Sequence, residues 1–137
     1  MISTRGRYAL RVLIDLAESY NGSLIPMKTI AERQGISVKY MEHIVKLLMD
    51  LGLIEGVKGK CGGYRLLRDP KDCTVGEILR ATEVDMAPVA CLGKNAEPCP
   101  RREGCRTIGM WEGYQKITNE YFDHITLADL TSETPCP

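Results

Sequence analysis

The strongest periodic signal in the chain lies in residues 36–51. Met41, Ile44, Val45, Leu48 and Leu51 recur there at the spacing of one helical face, which predicts an amphipathic helix with these residues buried. Lys39, Tyr40, Glu42, His43 and Lys46 are left for the other faces, mostly in the first two turns. Ser37 stands just ahead of them, and its hydroxyl can accept from a free backbone N–H in the first turn. A helix that buries one face and offers a mixed polar N-terminal half can lie in a major groove and read base edges. An ordinary surface helix shows the same pattern, so the flanking segments decide between the two.

Upstream, residues 5–20 predict a first helix with the stripe Ala9, Val12, Leu13, Leu16 and Ala17. Arg5, Arg7 and Arg11 crowd its beginning, where cations oppose the helix dipole, so they are candidates for phosphate contact as well as for plain solvation. Asn21-Gly22-Ser23 signals a turn, Pro26 suits the start of a second helix reaching about Gln34, and Gly35 is a break. Two short helices joined by a glycine-containing turn form a helix-turn-helix pattern. Downstream, Gly52 is a helix stop, and residues 53–57 and 64–67 read as two short strands. Between them lies the basic, glycine-rich stretch 58–63 with Lys58 and Lys60. A hairpin of this kind is either a flexible surface loop or a wing. Its position directly after a helix-turn-helix favours the wing, whose glycines admit a close partner and whose lysines supply charge.

The second half of the chain has a different texture. Thr74 with Glu77 forms a capping box opening a short helix through about Ala81. Residues 84–106 contain three cysteines and three prolines with little periodicity, a long loop of the kind that usually carries function. From about Thr107 to His124 a helix is expected, with a stripe of Trp111, Tyr114, Ile117 and Tyr121. Little chain remains to cover that stripe, so it is expected to pack against a second copy. Thr126 and Asp129 suit the cap of a last short helix, and residues 131–137 read as a frayed tail. The fold class is therefore mainly α with a small β-hairpin. Its three segments are a winged helix-turn-helix at 1–83, a cysteine loop at 84–106, and a long dimerisation helix with its tail at 107–137.

Composition adds three constraints. The 137 residues suit one domain with an appendage, large enough for a core without disulfides. No apolar run approaches the roughly 18 residues that span a bilayer, and the N-terminus lacks a signal-peptide layout, so a soluble, cytoplasmic protein is expected. The net charge of zero conceals an asymmetry: residues 1–80 hold 13 Lys and Arg against 9 Asp and Glu, and residues 81–137 hold 5 against 9. A polyanion would meet the first part. No grouping of acid/base, nucleophile and phosphate-binding loop is visible, so an enzyme is not expected.

Six cysteines are present, at positions 61, 73, 91, 99, 105 and 136. In a reducing compartment, clustered cysteines point to metal or redox work rather than to bridges. Cys91, Cys99 and Cys105 share the loop, separated by seven and then five residues. Thiolates on so flexible a segment can converge on one soft centre, zinc included. Lys94, Arg101, Arg102 and Arg106 nearby would favour the thiolate form. The alternative is three unconnected reduced cysteines. Cys61 and Cys73 are weaker candidates.

The chain from Met1 to about Leu130 resembles the bacterial iron–sulfur cluster regulator family, the IscR type of winged helix-turn-helix transcription regulator. The resemblance is carried by Arg5-Gly6-Arg7-Tyr8-Ala9-Leu10, by residues 32–37, by Tyr40-Met41-Glu42, by Gly62-Gly63-Tyr64 and by the three cysteines before Trp111. It implies a homodimer joined through the long C-terminal helix. It also implies binding to double-stranded promoter DNA, tuned by the state of a [2Fe-2S] or [4Fe-4S] cluster. The positions that match the family's base-reading turns are Ser37, Lys39, Glu42 and His43, with Tyr40 beside them. His43 stands where a DNA-facing glutamine occurs in the family, which favours a DNA contact over a metal ligand. Arg5 and Arg7 are candidate backbone contacts, and Lys58 and Lys60 match the basic wing. The implied cluster ligands are Cys91, Cys99 and Cys105. Here the first gap is two residues longer than usual, Ile108 replaces a ligating histidine, and Arg7 replaces an acidic ligand of a nitric-oxide-sensing relative. The fourth ligand is open among Asp85, Glu83, Cys136 and an exogenous thiol or water.

Overall fold

A computed structural model of the chain describes residues 1–131. Six α-helices and one hairpin follow in the order α1 (Thr4–Glu18), α2 (Met27–Gln34), α3 (Val38–Asp50), β1 (Ile54–Val57), β2 (Gly63–Leu66), α4 (Val75–Thr82), α5 (Ile108–Asp123) and α6 (Leu127–Thr131). Short 3-10 turns occupy Pro70–Asp72, Ala90–Leu92 and Arg102–Gly104. Mainly helical with one antiparallel hairpin, the chain has the expected fold class. Among the described residues no helix is long and apolar enough to cross a membrane. The expected frayed tail, with Cys136, falls outside the described residues apart from Thr131, which ends α6.

The helix-turn-helix is built from local signals. Ser37 is extended, and its hydroxyl accepts from the Tyr40 N–H at 3.2 Å, which starts α3. Gly35 ends α2 with φ +63°, a left-handed conformation that other residues adopt at a cost. Ala9, Val12, Leu13 and Leu16 of α1 meet Ile30 and Ala31 of α2 and Met41, Ile44, Val45 and Leu48 of α3 in one core. Burying each such large side chain contributes roughly 1.5–3 kcal/mol. Leu51 departs from expectation: it caps the helix and is 37% exposed. The chain reverses at Gly52, and Leu53 fills the core instead. Asp15, only 2% exposed, accepts from Arg33 Nη1 at 3.1 Å and Gln34 Nε2 at 2.8 Å, tying α1 to the end of α2.

The hairpin pairs Ile54 with Leu66 through Val57 with Gly63. Ile25, just before α2, adds one antiparallel bridge to Tyr64, with N–H···O distances of 2.9 and 2.8 Å. The wing is thus sewn to the helix-turn-helix by backbone.

Downstream, Thr74 caps α4 by accepting from the Glu77 N–H at 3.1 Å. A second, smaller core joins Val75, Leu79 and Ile125 with Met86, Phe122 and Leu130. After α5 the chain returns: Leu127 is fully buried in the main core, and its N–H donates to the Cys73 carbonyl at 2.9 Å. None of the α5 side chains is fully buried. Met110, Tyr114, Ile117 and Tyr121 are between 51% and 68% exposed.

Candidate nucleic-acid interface and cysteine loop

Two surfaces carry the candidate chemistry. The first combines α3, the wing and the start of α1. Ser37, Lys39, Glu42 and His43 are exposed on the first two turns of α3, because Met41, Ile44 and Val45 take the inward face. Tyr40 is half-buried, and its ring meets Tyr8 edge-to-face at 5.4 Å between centroids. That contact sets the first turns of α1 beside the first turn of α3. Apolar patterning missed Tyr8; its place one helical turn before Val12 was the available signal.

The three arginines of α1 separate by role. Arg5 and Arg7 are exposed, and Arg7 Nη2 donates to Thr4 Oγ1 at 3.2 Å. Arg11 is exposed as well, but part of its guanidinium is engaged by neighbouring groups of the protein. Its Nε donates to Gln34 Oε1 at 3.2 Å, its Nη2 to the Gln34 carbonyl, and its guanidinium lies 5.3 Å from the Tyr8 ring centroid. In the wing, Lys58 and Lys60 are exposed at the tip with Cys61. Adjoining clefts between α3 and the wing are lined by Met27, Met49, Tyr64 and Lys58 and, on the helix side, by Glu42 and Lys46. Glu42 and Lys46 of α3 and Lys58 of the wing thus lie on adjoining clefts that share Met27, Met49 and Tyr64.

The second surface is the segment between α4 and α5. Cys91, Cys99 and Cys105 are half-buried and free. Thr107 precedes α5 but makes no side-chain cap. Its hydroxyl instead contacts Cys105 Sγ at 3.5 Å and, as the main cause, holds that thiol's pKa below its ordinary value; backbone N–H groups add to this. The expected cationic help is smaller. Arg102 contributes least to the lowering, and it is paired with Glu112 at 2.6 Å. Two expected fourth ligands are engaged elsewhere. Glu83 Oε1 accepts from the N–H and hydroxyl of Ser3 at 3.0 and 2.8 Å. Asp85 accepts from the N–H of Ala87 at 2.8 Å and of Lys94 at 3.0 Å, which lowers its pKa. Among the described residues, no three of His, Cys, Asp and Glu are grouped closely enough to hold a metal ion. The donors suit a thiophilic centre in kind, but their arrangement does not fit one. Cys73 is separate: buried in the main core, its thiol pKa is pushed up by burial.

This arrangement has known counterparts. The profile of the Rrf2 family, described as iron-dependent transcriptional regulator, matches residues 2–133. Protein rrf2 of Nitratidesulfovibrio vulgaris is 38% identical over 137 residues, covering 99% of this chain and 91% of the relative. Among solved structures, T. potens IscR is 33% identical with a TM-score of 0.75, covering 100% of this chain and 92% of its own. CymR (YrzC), the global cysteine regulator of B. subtilis, is 34% identical with a TM-score of 0.73 and covers 98% of both chains. With its winged helix and a match over nearly its whole length, the chain belongs to the Rrf2 family of transcription regulators and is not an enzyme.

Proposed function

We propose that the protein binds double-stranded promoter DNA as a cytoplasmic homodimer, through α3, the wing and the start of α1. The observation that carries the reading is the exposed set Ser37, Lys39, Glu42 and His43 on a capped helix, with Glu42 lining a cleft that adjoins the one lined by Lys58 of the wing. Lys58, Lys60, Arg5 and Arg7 contact phosphate. Ser37, Lys39 and His43 reach base edges, with Tyr40 bracing them from behind. Glu42 accepts from a cytosine amino group and repels phosphate elsewhere, so it rejects wrong sites as well as selecting right ones. The test is binding of duplex DNA across a salt series. Lys58→Ala with Lys60→Ala should weaken binding to every sequence and flatten the salt dependence by up to about 3.6 for the homodimer, which loses two lysines in each protomer, since fewer phosphate contacts mean fewer counterions released on binding. Unchanged affinity and slope would exclude the wing from the interface.

The segment 84–106 is the sensing element of this reading. Cys91, Cys99 and Cys105 supply thiolates of the kind an iron–sulfur cluster takes, and the family's description as iron-dependent supports that occupant. Binding requires the segment to draw the three together from the arrangement described above. A second reading is control by thiol oxidation or by a partner protein. It is favoured by the separation of the three cysteines and by the likeness to a cysteine regulator. Iron and acid-labile sulfide assays on protein prepared without oxygen separate the two. Stoichiometric sulfide supports the cluster, and zinc alone or no metal leaves thiol or partner control.

A further inference from the structure

The cations at the start of α1 pose an electrostatic problem. Arg5 and Arg7 sit in the first two turns, where the helix dipole is positive, and no acidic residue of α1 lies in its first turn. The compensation comes from 80 residues away. Glu83, the residue that ends α4, brings its carboxylate to Ser3. One oxygen, Oε1, takes both the Ser3 backbone N–H at 3.0 Å and the Ser3 hydroxyl at 2.8 Å. The Ser3 hydroxyl oxygen in turn accepts from the Gly6 N–H at 3.1 Å, capping α1. A Cβ on Gly6 would collide with Glu83 Oε1, so glycine at that position is what admits the carboxylate. Gly6 is buried between exposed Arg5 and exposed Arg7. Fixing the glycine inward turns both arginines outward, while the Tyr8–Tyr40 contact holds the same turn against α3.

We propose that Glu83 is a positioning residue for DNA binding: it anchors the N-terminus of α1 through Ser3 and Gly6 and so presents Arg5 and Arg7 to phosphate. The inference rests on the DNA-binding reading above. It carries a sign that discriminates. Removing a negative charge near a polyanion should, by charge alone, tighten binding. Loss of an anchor should weaken it. Glu83→Ala abolishes both charge and anchor, whereas Glu83→Gln removes the charge but keeps an oxygen that accepts from Ser3.

The experiment measures binding of the full chain to a non-specific duplex of fixed length across a salt series, with circular dichroism confirming the folded state. Glu83→Ala should bind several-fold more weakly, with the log–log salt slope reduced by up to about 3.6 for the homodimer, the share of two phosphate contacts in each protomer. Glu83→Gln should stay near the wild-type slope. In an Arg5→Ala, Arg7→Ala background, Glu83→Ala should no longer weaken binding, leaving only the slight tightening from the lost charge. Ser3→Ala, which spares the carboxylate, should give a smaller loss of the same kind and serves if Glu83→Ala does not fold. Equal or tighter binding by Glu83→Ala at an unchanged slope overturns the proposal, as does full additivity with the arginine substitutions. If Lys58→Ala with Lys60→Ala weakens binding while the Glu83 and Ser3 variants do not, this inference alone falls. If wild-type protein does not bind duplex DNA, the DNA-binding reading falls and takes the inference with it.

Discussion

At the scale of single residues, selectivity and reactivity follow from where each side chain is held. Glu42 is exposed on α3 and carries the only negative charge among the proposed base-reading residues. Glu42→Ala should relax sequence preference rather than abolish binding, because the lysines still engage phosphate. A binding selection checks this; an unchanged ranking of sites would remove Glu42 from readout. The cysteines differ in the same way. Cys61 is exposed at the wing, whereas Cys73 is 2% exposed with its thiol pKa raised by burial. Cys73 forms thiolate only at higher pH than an ordinary cysteine, and reagent cannot reach it in the folded state. Iodoacetamide at neutral pH should therefore label Cys61 well before Cys73, and unfolding should equalise the two. Equal labelling of the folded protein would contradict the burial.

At the scale of elements, caps decide where helices begin. Ser37, Thr74 and Thr126 each accept from an N–H three residues on. The cap of α6 is reciprocal: Asp129 Oδ2 accepts from the Thr126 N–H at 2.9 Å and hydroxyl at 3.0 Å, and these bonds lower the Asp129 pKa. A depressed folded-state pKa gives stability that is present above the unfolded value and is lost as pH falls through the folded one. The melting-temperature difference between wild type and Asp129→Ala should thus be full above about pH 4 and shrink below it. Thermal melts at several pH values measure this, and a difference as large in strong acid as at pH 6 would rule out the linkage. The element matters beyond its five residues, since Leu127 at its start plugs the core beneath α1. Leu127→Ala should cost about 2–5 kcal/mol in a denaturant titration.

For the whole molecule, the exposed face of α5 is the surface through which assembly is expected. Met110, Tyr114, Ile117 and Tyr121 expose apolar surface on a helix with no fully buried side chain. Contiguous apolar faces of this kind mark association sites. A two-fold dimer through α5 would set two copies of α3 about one DNA turn, or a multiple, apart on a site of approximate dyad symmetry. Ile117→Asp should yield a monomer in sedimentation at micromolar concentration and weaken binding to a two-half-site duplex far more than to a single half-site. Dimeric Ile117→Asp protein with undiminished binding would place the interface elsewhere.

Periodicity and capping are local, so residues close in sequence suffice to specify them. The stripe of α1, the break at Gly35, the start at Ser37, the basic wing and the Thr74 and Thr126 caps were all legible for that reason. The cysteine spacing, the exposed polar turns of α3 and the aromatic stripe of α5 were legible as chemistry, though not as geometry. Tertiary structure decided what depends on contacts between distant segments. Arg11 reached across the surface to Gln34, Leu51 yielded its core place to Leu53, Leu127 returned to the main core, and Glu83 crossed to Ser3. Spacing brought Cys91, Cys99 and Cys105 into one segment, but among the described residues they are not grouped at a common centre. The reason is the same in each case: a side chain's period along one element says which way it faces, and only the packing of other elements determines what it faces.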